Sequence, residues 1–216
     1  MSSFKNAEAS VITQDLIKVI QKNKQYLSDI DGEIGDGDHG INMNKGFTLC
    51  GEELAKKAYG FSDSLLCLSK TLMTEIGGAM GPLYGVFFRS MAKAVEDKED
   101  IDAELVGKML SASVSGVQSI SQANVGDKTL MDVLIPASQS YNSALENGER
   151  FEKALDSMAE AARQGRDSTK DLVAKIGRSS RLGQRSKGVI DAGAASCCLI
   201  LENMGTSIKK QLKNSK

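Results

Sequence analysis

The chain has 216 residues, long enough for one domain, 1–216, with a sizeable core of its own. Lys plus Arg number 27 and Asp plus Glu 28, so a net charge of −1 offers no broad field for nucleic acid or acidic lipid. Four cysteines without C-x-x-C spacing argue against zinc and disulfide scaffolds, and two prolines, no Trp and few aromatics favour helices over strands.

No apolar leader and no apolar run of about 18 residues is present, so a soluble, cytoplasmic protein is expected, with no membrane partner. Cys50, Cys67, Cys197 and Cys198 read as core filler in a reducing compartment. Val11, Ile12, Leu16, Val19, Ile20, Tyr26, Leu27 and Ile30 recur at three- and four-residue spacings. They predict an amphipathic helix over residues 6–29, with Asp31 at or just past its end.

Residues 31–46 then read DGEIGDGDHGINMNKG, with four carboxylates, the one histidine and five glycines. Gly35, Gly37 and Gly40 formally spell the dinucleotide motif G-x-G-x-x-G. That motif aims bare N–H groups at a pyrophosphate after a strand, whereas here Asp36 and Asp38 intervene after a helix. A calcium EF-hand loop needs Glu at its twelfth position, where this stretch has Phe47 or Asn42. A divalent-cation site remains, with Asp31, Asp36 and Asp38 as oxygen ligands for magnesium that also binds phosphate. A solvated acidic turn is the alternative for this stretch taken alone.

Asn42 or Asn44 is the expected start of the next helix, which runs to Gly60, and Ser62 or Ser64 reads as the cap of another ending near Ile76. Residues 77–85, GGAMGPLYG, form a glycine loop leading into a helix with Pro82 in its first turn, a geometry that suits a phosphate. A further helix is predicted over 102–120. Gly126, Asp127, Lys128 and Thr129 then open a helix bent at Pro136, and the tetrad is a candidate anion contact or a plain helix cap. Helices are predicted over 151–163, over 171–176 as continuation or successor, and over 194–212. Between the last two, residues 177–193 read GRSSRLGQRSKGVIDAG, a long loop whose Arg178, Arg181 and Arg185 suit phosphate oxygens. The count is about eight helices, and alternate connections of an antiparallel bundle fall at one end, where these four stretches can converge.

The ordered segments IGDGDHGINMNKGF, GGAMGPLYG, GDKT and GRSSRLGQRS…DAGA resemble the nucleotide-binding L subunit of dihydroxyacetone kinase over most of the chain. The resemblance implies an all-α fold, an eight-helix antiparallel barrel with ADP or ATP held in the loops at one end through two Mg2+ ions. It implies Asp31, Asp36 and Asp38 as the metal ligands. His39, Gly40, Ile41, Asn42, Gly78, Ala79, Met80, Gly126, Thr129, Leu130, Arg178, Asp191 and Gly193 fall at nucleotide-binding positions, with His39 and Arg178 nearest the chemistry. Two departures stand out: Met80 replaces a usual serine, and residues 188–193 read GVIDAG where the family usually has Gly-His-x-Asp-Pro-Gly. His39 is expected to orient phosphate, its flanking carboxylates favouring the protonated ring when no metal is bound. The implied function is phosphoryl transfer to dihydroxyacetone held by a separate K subunit, with a phosphohistidine protein of the phosphotransferase system recharging the nucleotide. A kinase subunit for another short-chain keto sugar and a nucleotide sensor for a transcription regulator are the alternatives, and a homodimer is left open.

Overall fold

The computed structural model describes residues 2–214. Their α-helices are α1 (Val11–Lys22), α2 (Lys24–Ile34), α3 (His39–Leu54), α4 (Phe61–Glu75), α5 (Met80–Lys93), α6 (Ala103–Ile120), α7 (Met131–Glu146), α8 (Phe151–Ser168) and α9 (Ala192–Asn214). One antiparallel ribbon pairs β1 (Ser3–Lys5) with β2 (Asp100–Asp102), Phe4 opposite Ile101. Each of α2 to α8 packs on its successor, and α9 returns to α1, so the helices close into a ring as the all-α barrel expectation requires. Phe47, Phe87 and Phe88 fill its interior, the last two edge to face with centroids 4.8 Å apart.

The helix predicted over 6–29 is a kinked pair, broken at Asn23. Its side-chain amide donates to the Val19 carbonyl at 2.8 Å, competing with the backbone ladder as asparagine does in helix interiors. The ladder nearly survives, since Asn23 N–H still reaches Val19 and Ile20 and Leu27 N–H reaches Asn23. With α1 and α2 taken as one kinked helix, the ring has eight staves.

Several boundaries differ from expectation, beginning with α3, which ends at Leu54 rather than Gly60, and α4, which starts at Phe61 after Gly60 so that Ser62 and Ser64 lie inside it. Asp31 lies inside α2, which runs on to Ile34, and α3 starts at His39 rather than at Asn42 or Asn44. The cause is one carboxylate: Asp31 Oδ2 accepts the His39 N–H at 3.3 Å and so caps α3 from the preceding helix. Only residues 77–79 of the glycine stretch form the loop. Gly81 is already helical, and a Cβ there would meet the Ile76 carbonyl at 2.1 Å, so its bareness serves close packing on the end of α4. Residues 171–176 are not a helix. After a 3₁₀ turn at Thr169–Asp171 their backbone turns to distant partners, Ala174 N–H to Ser186 Oγ at 2.9 Å and Lys175 N–H to the Asp127 carbonyl at 3.2 Å. The long polar loop is partly ordered as 3₁₀ turns over Arg178–Ser186, interrupted at Gly183.

Cys50, Cys197 and Cys198 are buried free thiols, as expected of core filler, while Cys67 is half-buried. Among the described residues no helix is long and apolar enough to cross a membrane.

Candidate functional site

The four unusual stretches meet at one end of the ring, around a cleft of about 240 Å³. Antiparallel alternation brings the N-termini of α3, α5, α7 and α9 to this end, because His39, Met80, Leu130 and Ala192 all line the cleft. Helix starts carry roughly half a positive charge, so the fold itself builds a place for an anion, although at α7 the Met131 and Asp132 N–H groups are already taken by Thr129.

Facing these starts are Asp31, Asp36 and Asp38. The last turn of α2 and the loop behind it bring one oxygen of each within 4.8 Å of the others, a hard-oxygen donor set that fits Mg2+ and matches no softer metal. Arg178, at the start of the 3₁₀ segment, forms an ion pair with Asp36, so the guanidinium stands beside the carboxylates. Arg178 and Asp36 are 60% and 42% exposed, which leaves both able to exchange partners.

His39 is held from behind. Its Nε2 lies 2.8 Å from Ser196 Oγ on α9, Ser196 lies 2.6 Å from the Tyr84 hydroxyl, and Tyr84 donates to the Gly193 carbonyl at 3.0 Å. Burial lowers the His39 pKa to about 4, so desolvation outweighs the flanking carboxylates and the ring is neutral at pH 7, contrary to the charge expected from its neighbours. Burial likewise raises the Tyr84 hydroxyl.

Asp191 caps α9 by accepting the Ala194 N–H at 2.8 Å, and its own N–H donates to Thr169 Oγ1 at 3.0 Å. Burial pushes its carboxyl up to about 7, against the pull of the Ala194 N–H and the nearby Lys128 charge.

The Gly-Asp-Lys-Thr stretch is organised from within. Asp132 is buried and accepts the N–H groups of Gly126 and Thr129, each at 2.6 Å. Lys128 has φ +62°, the one non-glycine positive φ among the described residues. Its ammonium is buried against three carbonyls, Val189 at 2.5 Å, Thr169 at 2.6 Å and Leu172 at 3.3 Å. It thus ties the start of α7 to both sides of the α8–α9 connection, an internal strut in a tetrad whose cation first reads as an anion contact.

Of the residues singled out from sequence, Asp31, Asp36, Asp38, His39, Asn42, Gly78, Ala79, Met80, Thr129, Leu130, Arg178, Asp191 and Gly193 line the cleft. Gly40, Ile41 and Gly126 lie outside its lining. Gly40 packs against α2, where a Cβ would stand 2.0 Å from the Lys24 carbonyl, and Ile41 is 54% exposed. Tyr84 and Ser196 escaped sequence reading. The signal for Ser196 was a hydroxyl on the apolar face of a helix only five residues past Asp191.

Comparison with known proteins bears on this arrangement directly. Residues 33–206 match the DAK2 domain. The chain belongs to the DAK2 family. It is 40% identical over 186 residues to the ADP-binding subunit DhaL of PEP-dependent dihydroxyacetone kinase 1 from Listeria innocua, covering 86% of this chain and 88% of that one. It is 35% identical over 195 residues to the Escherichia coli ADP-binding subunit DhaL, covering 89% and 92%. An L-erythrulose kinase of Pectobacterium atrosepticum shares 32% identity over 187 residues, 85% of this chain but 32% of that longer protein. The family read from the four motifs is therefore the one found. Among solved structures, the dihydroxyacetone kinase of C. freundii superposes with a TM-score of 0.71 at 20% identity, covering 96% of this chain and 36% of that one, which bears out the fold. The same kinase has also been solved in complex with AMP-PNP and Mg2+, with a TM-score of 0.68.

Proposed function

We propose that this chain is the ADP/ATP-binding phosphotransfer subunit of a dihydroxyacetone kinase, acting on dihydroxyacetone held by a separate K subunit in the cytoplasm. The observation that carries the reading is the meeting of three carboxylates with four helix N-termini in one cleft, in a chain whose DhaL relatives are named ADP-binding subunits. Asp31, Asp36 and Asp38 hold two Mg2+ ions, which when bound neutralise charge on the nucleotide phosphates. Arg178, largely exposed beside Asp36, would be the residue to contact a phosphate oxygen if a metal took that carboxylate. The N–H groups at the start of α5, after Gly78 and Ala79, donate to phosphate and need no side chain, so Met80 keeps this contact without the hydroxyl of serine. His39, with Nε2 held by Ser196, donates its Nδ1–H to a phosphate oxygen rather than carrying the phosphoryl group. Leu83, Leu130 and Ile176 offer an apolar wall suited to a purine.

The relatives' names specify PEP or the phosphotransferase system, which supports recharging by a phosphohistidine protein of that system. The L-erythrulose kinase at 32% identity supports one second reading, a subunit serving another short-chain keto sugar.

Thermal unfolding with Mg2+ and ADP tests the reading. Ligand at a hundred times its Kd stabilises by about 2.7 kcal/mol, so Tm should rise by roughly 5–10 °C, and Asp38→Asn should abolish the rise. An unmoved Tm in the wild type refutes the site. Phosphoryl transfer to dihydroxyacetone or erythrulose, with a K subunit and phosphotransferase proteins present, then identifies the acceptor. Nucleotide binding without transfer would mark a sensor, and its readout would be a complex with a transcription regulator.

A further inference from the structure

Ser196 has one hydroxyl proton and four neighbours that can take it. Its Oγ lies 2.6 Å from the Tyr84 hydroxyl and 2.8 Å from His39 Nε2, while the carbonyls of Ala192 and Gly193 on its own helix stand at 3.0 and 3.1 Å. Ser196 is fully buried and Tyr84 is 1% exposed, so these groups must satisfy one another. A buried helical serine left to itself donates to the carbonyl four residues back. Ser196 would then offer His39 a lone pair alone, and the neutral ring would carry its single proton on Nε2. Nδ1 would be bare, and a bare nitrogen repels a phosphate oxygen, since both only accept. Tyr84 alters this balance. Its phenol proton is within reach of the Gly193 carbonyl at 3.0 Å and of Ser196 Oγ at 2.6 Å, and the shorter contact is the stronger. Burial raises the phenol further, so it stays protonated and able to donate. With the Tyr84 proton between the two oxygens, the serine proton has to point elsewhere. The nearest acceptor left is His39 Nε2, closer than either carbonyl.

We propose that Tyr84 is a positioning residue which, acting through Ser196, fixes His39 in the Nδ1–H tautomer and so makes its ring a donor for a phosphate oxygen. Donation runs from Tyr84 to Ser196 and from Ser196 to His39 Nε2. No proton travels along this chain; the two hydroxyls only decide which ring nitrogen carries the ring's own proton. Tyr84 borders the cleft, but its hydroxyl is committed to Ser196 and Gly193, so it reaches the phosphate through the histidine. One buried oxygen thereby joins α3, α5 and α9 and gives the histidine its polarity. This inference rests on the proposed function for the identity of the anion alone.

The chain has one histidine, so its ring nitrogens can be read without assignment ambiguity. Two-bond 15N–1H correlation spectra of the labelled full chain, taken at about pH 8 without metal or nucleotide, separate a protonated ring nitrogen from a bare one by its shift. An ordinary histidine is neutral at that pH. The expected wild-type ring carries its proton on Nδ1, the reverse of the preference of free histidine. Tyr84→Phe, which removes the hydroxyl and keeps the ring, should move the proton to Nε2, and Ser196→Ala should do the same. Tyr141→Phe is the control, because it removes another buried tyrosine hydroxyl, one that donates to the Ala103 carbonyl at 2.9 Å, and should leave the proton on Nδ1. In calorimetric titrations the Kd for Mg-ADP should rise roughly three- to tenfold in Tyr84→Phe, the loss of one net hydrogen bond, and stay unchanged in Tyr141→Phe. A wild-type ring protonated on Nε2, a Tyr84→Phe ring still protonated on Nδ1, or the same tautomer change in Tyr141→Phe overturns the proposal. The spectra need no ligand, so a wild type that fails to bind Mg-ADP refutes the proposed function, and the tautomer is judged separately.

Discussion

Lys128→Met removes one ammonium from the interior and nothing from the surface, since the residue is 1% exposed. The ammonium holds the Val189 carbonyl at 2.5 Å and the Thr169 carbonyl at 2.6 Å, with Leu172 at 3.3 Å as a weaker third partner. Hydrogen bonds to a charged group contribute about 1.5–3 kcal/mol each, and the long one adds little, so about 3–6 kcal/mol is lost. Methionine fills much of the same volume and returns part of that as apolar burial, on the order of 1–2 kcal/mol. The net cost is about 2–4 kcal/mol. Urea unfolding at pH 7 measures it as a fall in midpoint at constant slope. Lys175→Met is the internal control: its partner Asp127 is 3.0 Å away, but the lysine side chain is 63% exposed, so the change should cost below about 1 kcal/mol. Equal costs for the two lysines, or less than about 1 kcal/mol for Lys128→Met, refute the strut. The variant should also bind Mg-ADP more weakly, because Val189 leads directly to Asp191.

Gly40→Ala places a Cβ 2.0 Å from the Lys24 carbonyl and 2.6 Å from Ser28 Oγ, and backbone cannot yield cheaply. Overpacking should cost about 1–3 kcal/mol and spread α2 from α3, weakening Mg2+ binding in a calorimetric titration; wild-type stability would rule this out. Ser196→Ala removes the partner of both His39 and Tyr84 and should destabilise by about 1–3 kcal/mol in urea while reducing the ADP-dependent rise in Tm; a variant matching wild type in both measurements contradicts the relay. In metal-free protein, the Asp191 carboxyl rises from 3.8 to about 7 on folding. A raised carboxyl stabilises the fold below its unfolded value, and that contribution is lost as pH climbs toward about 7. Tm in EDTA should therefore fall over this window, and Asp191→Asn should flatten the fall; parallel wild-type and variant profiles would count against it.

The helices were readable because their apolar faces repeat every three or four residues. What the periodicity could not show were features decided by distant atoms. Asp31 reads as a residue beyond a helix, yet it caps the next helix from inside its own. Residues 171–176 carry a plausible helical pattern, yet their backbone pairs with Ser186 and Asp127 from other segments. At the site, charged residues of unusual local density, Asp31 through Asp38 and Arg178, announced themselves. The Gly-Asp-Lys-Thr tetrad left an anion contact and a plain helix cap open, and nothing local reveals that three carbonyls surround Lys128. Tyr84 and Ser196 look like ordinary members of apolar helices, and only their hydrogen bond across the end of the ring links them to His39.

The closing position of α9 in the ring bears on biosynthesis. This helix packs on α8, α1, α7 and α2 and supplies Asp191, Gly193 and Ser196 around its start. A ribosome delivers residues at about 5–20 per second, N-terminus first, so α1 can pack on α3 and α4 many seconds before α9 arrives to cover its remaining face. The cleft cannot assemble before α9 has emerged, and ring closure is a late event on the growing chain.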